Sequence, residues 1–296
     1  VAAARRRHER EADVRIQRRD NGRNHFYIDL DTDQRVPGVT TLVGDGLPKP
    51  ALLNWAGDAT AEYAIDAWDE LAKLPPSERL KKMKGGRYEK RDAASNKGTQ
   101  IHKLAERLIA GERVTVPDAL TGYVQSCVRF LDEFDVRAAH VEAVVYSETR
   151  RHVGTLDLIA DVLLPDMPEY EHIDRNEDGY ARGLLDWKTG KSGIFGDVAM
   201  QLAPYRHSEF LILPDGEVID MPAVDFCAGI HIRADGYSFV PLLCSEEQYR
   251  DFLYICEVAR IQAGLRDLVG QPIEPPTASA YVLTQAGTEG PDGMEP

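Results

Sequence analysis

Four small groups of residues have the types and spacing to do chemistry. The first is Asp186-Trp187-Lys188, within GLLDWKTGKS at 183–192. Residues two apart in a strand share a face, so Asp186 and Lys188 point the same way as Leu184. Leu185 and Trp187 point to the other side. An acid and an ammonium group at the end of an apolar strand are each costly to bury alone. The second is Asp157, within HVGTLDLIADV at 152–162 and flanked by Leu156, Leu158 and Ile159. A carboxylate inside an apolar strand needs a partner or a cation. Its strand precedes the one with Asp186, so the two carboxylates are expected side by side, and a hard divalent cation relieves their repulsion. The plainer alternative is a strand face open to water, shared with Asp161.

The other two groups lie on helices. His102 and Glu106, in GTQIHKLAER at 98–107, are four apart and share one face. Gln201 and Tyr205, in MQLAPY at 200–205, are also four apart, and both residue types suit a phosphate or a base. Taken singly, each pair reads more readily as ordinary helix packing.

Other chemistries fit less well. Gly190-Lys191-Ser192 resembles the end of a phosphate-binding loop, but Gly183 precedes Gly190 by six intervening residues, and those read as strand. No C-x-x-C or close His pair suggests zinc, and no G-x-S-x-G suggests a serine nucleophile.

In order, Gly98-Thr99-Gln100-Ile101-His102, Gly154-Thr155-Leu156-Asp157, Asp186-Trp187-Lys188 and Gln201…Tyr205 resemble the PD-(D/E)XK nuclease superfamily, in its RecB-like and phage exonuclease branch. The likeness covers roughly residues 95–210, and PGVTTLVGDGLPKPALLNWA at 37–56 is more loosely similar to the amino-terminal part of phage members. It implies a restriction-endonuclease-like core and a Mg²⁺- or Mn²⁺-dependent deoxyribonuclease. The implied activity is exonuclease in phage or bacterial recombination or repair, leaving 5′-phosphates. An endonuclease or flap nuclease with the same site, or a non-catalytic DNA-binding subunit, are the alternatives. By the same resemblance, His102, Asp157, Asp186 and the Trp187 carbonyl hold the metal, while Asp157, Asp186 and Lys188 are catalytic. Gln201, Tyr205 and Lys191 contact DNA, and Glu142 and Glu106 are supporting acids. An imidazole beside carboxylates suits Mn²⁺ as well as Mg²⁺. Some relatives hold an iron–sulfur cluster. Here Cys127, Cys227, Cys244 and Cys256 are too scattered, and core thiols are expected.

The chain has 296 residues with a formal net charge of −14. Used whole, that charge argues against a nucleic-acid partner. Resolved along the chain it does not. Residues 1–25 hold eight Arg against four acids, and 79–107 hold ten Lys and Arg against three. An acidic body with two basic stretches is expected, the second leading into the His102 helix and suited to guiding DNA. DNA, as an end or a single strand, is the expected partner. A recombination or single-strand-binding protein, or further copies of the chain, are additional candidates. No apolar run approaches ~18 residues, so no membrane span is expected. No apolar segment follows VAAARRRHER, so neither is a secretory signal. A cytoplasmic protein, of a bacterium or a phage-infected host, is the expectation.

The elements that must position these residues follow from period and punctuation. A basic flexible arm is expected over 1–24, an N-terminal hairpin and helical region over 25–94, the nuclease core over 95–270, and a disordered tail over 271–296. Two strands around Asp31-Thr32-Asp33 cover 25–43, and an amphipathic helix 51–74 ends at Pro75-Pro76. A basic helix over 77–92 is expected to break at Gly85-Gly86, with a new helix from about Asn96 or Thr99 to Ala110. Another helix runs from Pro117 to about Phe134. Strands are expected at 141–148, 152–164 and 181–189, a helix at 197–213, a hairpin across Asp235-Gly236, and a last helix at 245–269. Pro204 should kink the helix at 197–213 or mark a late start. The fold class is α/β: a central mixed sheet flanked by helices, with a helical preface.

Overall fold

Leu184 and Leu185 set the architecture. Neighbouring strand residues face opposite ways, and both leucines are fully buried, so their strand needs a layer on each face. The computed structural model describes residues 14–22, 25–190 and 192–273. Strands β1 (Ile16–Asp20), β2 (His25–Asp29) and β3 (Gln34–Val36) come first. Helices α1 (Val39–Gly46), α2 (Pro50–Asp66), α3 (Trp68–Leu71), α4 (Pro76–Ile109) and α5 (Thr121–Glu133) follow. Next are β4 (Arg137–Val141), β5 (Val144–Ser147), β6 (His152–Thr155), β7 (Leu158–Leu163), β8 (Tyr180–Lys188) and α6 (Gly196–Arg206). The chain continues through β9 (Phe210–Ile212), β10 (Val218–Asp220), β11 (Phe226–Arg233), β12 (Gly236–Leu242) and α7 (Glu246–Gly264).

β8 is the middle of a five-stranded mixed sheet, in the order β12-β11-β8-β7-β4. It pairs antiparallel with β7 and parallel with β11. Leu184 packs with Val39 and Val43 of α1, Leu202 and Ala203 of α6 and Phe252 of α7. Leu185 and Trp187 pack on the opposite face with Phe130 of α5 and Ala105 of α4. The coarse expectation of an α/β chain with a central mixed sheet between helices therefore holds. Among the described residues, no helix is long and apolar enough to cross a membrane.

Two smaller sheets lie beside it. One has the order β10-β9-β5-β6, the other β1-β2-β3. Tyr27 and Val36 of the second share a core with Tyr146, Val153 and Phe210 of the first. The pair of strands around the candidate site is bent at a corner. β4 and β7 belong to the large sheet, while their continuations β5 and β6 pair in the smaller one. Pairing persists through the corner: the Glu142 N–H donates to the Asp157 carbonyl at 3.1 Å, and the Leu156 N–H to the Ala143 carbonyl at 2.9 Å.

Several expectations need correction. Residues 39–46 are helix, where a strand was expected to run to 43. Residues 76–109 form one continuous helix that passes through Gly85-Gly86. The reason is a close approach: a Cβ on Gly86 would lie 2.0 Å from Cγ of Tyr63 on α2. Gly86 admits a neighbouring helix, and the pair does not end its own. The strand expected over 152–164 is two strands, and Asp157 lies between them. Residues 137–141 add a strand, and 210–212 turn from the expected helix into β9. Pro204 lies within α6, which starts at Gly196 and continues past it to Arg206. Part of the expected arm is ordered, because Ile16–Asp20 pairs along all of β2. Residues 1–13 and the tail beyond 273 lie outside the described residues.

The chain divides into two units, Val1–Gln262 and Ala263–Pro296. The described part of the second unit contains one 3-10 turn, Leu265–Leu268.

Candidate metal centre and active site

α4 brings the first residues in. Ile101, Leu104 and Ala105 are buried against the α5 side of the molecule, which fixes the rotation of the helix. His102 and Glu106 then lie along the edge of that buried face, one turn apart. The corner between β4 and β5 brings in Glu142, and the corner between β6 and β7 brings in Asp157. One ligand atom each from His102, Glu142 and Asp157 lie within 4.8 Å of one another. His102 Nδ1 is 3.7 Å from Asp157 Oδ2. Glu142 adopts φ of +50°, a left-handed conformation that costs a non-glycine residue about 1 kcal/mol or more. The bent corner accepts that strain, and the carboxyl faces the cluster.

The end of β8 closes the site. The β7–β8 ladder stops at Leu158–Leu185. Beyond it the Trp187 N–H donates to Asp157 Oδ2 at 2.8 Å, so the Asp157 side chain takes the donor that a longer β7 would have met. Asp186 shares the Leu184 face and points at α6. Gln201 Nε2 donates to its Oδ1 at 3.1 Å, and Lys188 Nζ forms an ion pair with its Oδ2.

Electrostatics mark this as a place where acids are crowded. Burial, and then the charges of Asp157 and Glu106, push Glu142 up to about 8. Burial and the Asp157 charge raise Asp186 to about 6, against the opposing pull of Lys188. A divalent cation can take the place of the proton on Glu142, and an imidazole with carboxylate oxygens is a donor set that Mg²⁺ or Mn²⁺ accepts. The residues therefore fit the metal that the sequence suggested.

The expected set is sorted differently by the structure. His102, Asp157 and Glu142 form the close cluster, so Glu142 joins His102 and Asp157 as a candidate ligand. Asp186 is part of an adjoining group with Lys188 and Gln201, and it feels the charge of Asp157. The Trp187 peptide is at the site through its N–H. Tyr205 needs correction as a DNA contact, since it is 2% exposed. Its ring lies against Gly154, and its hydroxyl is 3.5 Å from Gln201 Nε2, so it supports Gln201. Lys191 lies outside the described residues.

The sequence reading missed Arg18, Tyr27 and Thr155. Arg18, on β1, reaches Glu142 Oε2 at 3.6 Å and Thr155 Oγ1 at 3.4 Å. Tyr27 and Thr155 join their hydroxyls at 2.7 Å. Only Thr155, inside the Gly154–Asp157 motif, had a sequence signal. Arg18 looks like one arginine among many in a polar segment until β1 is paired. No family model matches the chain, and no curated protein matches it.

Proposed function

We propose that the chain is a divalent-cation-dependent DNA nuclease of PD-(D/E)XK type, acting as an exonuclease on DNA ends or single strands. The observation that carries this reading is the corner itself. His102, Glu142 and Asp157 converge there, and the Asp186–Lys188 pair stands at the adjacent end of β8. A mixed sheet with β7 antiparallel and β11 parallel to the strand of Asp186 is compatible with a restriction-endonuclease-like core.

When bound, Mg²⁺ or Mn²⁺ would lower the pKa of water and neutralise charge on the scissile phosphate. His102, Glu142 and Asp157 would hold it. Lys188 would orient the attacking water and stabilise the developing charge, with Asp186 holding the ammonium in place. Gln201 keeps Asp186 aimed, and Tyr205 keeps Gln201 in its rotamer. A 5′-phosphate product follows from the resemblance, as does a role in phage or bacterial recombination or repair.

The test is digestion of end-labelled linear DNA and nicked circular DNA with each metal, scored for polarity and product length. Linear substrate shortened from an end supports the exonuclease, and internal cuts in circles indicate an endonuclease. Wild-type inertness with both metals on single and double strands overturns the catalytic reading.

A further inference from the structure

A pocket of about 250 Å³ opens beside the site, and it shares Lys188 and Gln201 with it. Val43 and Val198 form apolar wall, Thr40 adds a hydroxyl, and the Phe195 ring stands at the border with 52% of the residue exposed. Lys49 Nζ and Asp197 Oδ2, 3.3 Å apart, complete the lining. We propose that this pocket receives the base of a single-stranded terminal nucleotide, stacked on Phe195, while its phosphate stays at Lys188. This rests on the nuclease reading and deepens it by naming a single strand as the form of substrate at the site.

Three features favour a base. An exposed aromatic ring beside a phosphate-binding lysine is the pairing that single-strand sites use, because every base offers a flat face to stack on. The Lys49–Asp197 pair makes the rest of the lining close to neutral, which suits the mixed donors and acceptors of a base edge better than a phosphate. The apolar wall, with one hydroxyl and one amide, resembles small-molecule sites that bury a flat group and orient it with few polar atoms. A base that enters a recess has to leave its partner. The strand must therefore be unpaired at its last nucleotide.

The experiment uses the full chain carrying Asp186→Ala, in Mg²⁺, with single-stranded oligonucleotides. Each has 2-aminopurine at one end, at the other end or internally, and a distant fluorophore. Anisotropy reads binding, and 2-aminopurine quenching reads stacking. Quenching is expected for one terminal position. Adding Phe195→Ala should abolish it and weaken binding about tenfold, while Phe195→Trp should retain both. Phe195 is half exposed, so neither change threatens the fold. Binding without quenching at either end, or quenching indifferent to Phe195→Ala, overturns the pocket and leaves the nuclease reading standing. A wild-type chain that cleaves nothing, with no anisotropy change in the variant, overturns both.

Discussion

Gly154 and the ring of Tyr205 occupy what would be the same space if Gly154 had a side chain. A Cβ there would fall 2.2 Å from Cε1 and 2.7 Å from the Tyr205 hydroxyl. The glycine of one motif is thus explained by the tyrosine of another. Tyr205 in turn lies beneath Gln201, which aligns Asp186. Gly154→Ala is expected to cost about 1–3 kcal/mol by overpacking. It should also slow cleavage, because the ring must move under Gln201. Pairing it with Tyr205→Leu should recover stability in denaturant titrations without recovering full rate. Equal stability of Gly154→Ala and wild type would remove this account of the motif.

Glu142 gives a pH dependence with a definite sign. Its folded value of about 8 is above its ordinary 4.5, so the folded chain binds more protons than the unfolded chain between those values. Its contribution is fully present below about 4.5 and is lost as pH rises through about 8. Glu142→Gln should therefore gain thermal stability over wild type progressively from pH 5 to pH 8 in metal-free buffer. Mn²⁺ affinity should move the other way and rise with pH, because the cation must displace the Glu142 proton. Calorimetry at pH 7 in buffers of different ionisation enthalpy should show proton release that Glu142→Gln removes. Release that survives the substitution would place the proton elsewhere.

Lys188 and Asp186 form a linked pair with separable effects. Lys188→Met should reduce turnover a hundredfold or more, the scale for losing one preorganised charge at a developing anion. Lys188 also holds Asp186 down, so its loss should push Asp186 above about 6. The acid limb of the pH–rate profile in Lys188→Met should then shift to higher pH. A lower rate with an unmoved limb would mean that Lys188 acts on substrate without influencing Asp186.

The site was more legible than the fold around it. Period two joins Asp186 to Lys188, and period four joins His102 to Glu106 and Gln201 to Tyr205. These are local geometries that survive any tertiary arrangement. Glu142 was visible only as an acid on a strand, because its weight comes from φ of +50° at a bend between two sheets. Asp157 read as a mid-strand residue for the same reason, since β6 and β7 continue one apolar run into different sheets. Gly85-Gly86 read as a break because backbone freedom is all that a pair of glycines shows in a sequence. The use of Gly86 is the contact with Tyr63, which lies more than twenty residues away. Arg18 was hidden by its neighbours, as composition cannot distinguish an arginine in a paired strand from those in a tail.

The basic stretch also resolves into separate jobs, and this allows a test of DNA guidance. Arg79 donates to the carbonyls of Leu71, Ala72 and Leu74 and so caps the preceding helical turn. Lys97 sits 3.9 Å from the Tyr123 ring centroid and bonds its hydroxyl at 2.8 Å. Lys81, Lys82 and Lys84 are exposed near the start of α4. Lys84 and His102 are eighteen residues apart on one helix, a distance of about 27 Å. DNA leaving the cut site would need about eight base pairs to reach it. Replacing all three lysines by Ala should flatten the salt dependence of cleavage by about 2.7 in log–log slope on long duplex DNA. On substrates shorter than about eight base pairs it should change nothing. Arg79→Ala should instead lower thermal stability and leave the slope alone. An equal slope change on short and long substrates would mean that these lysines act through the general field of the protein, and that α4 is not a track for DNA.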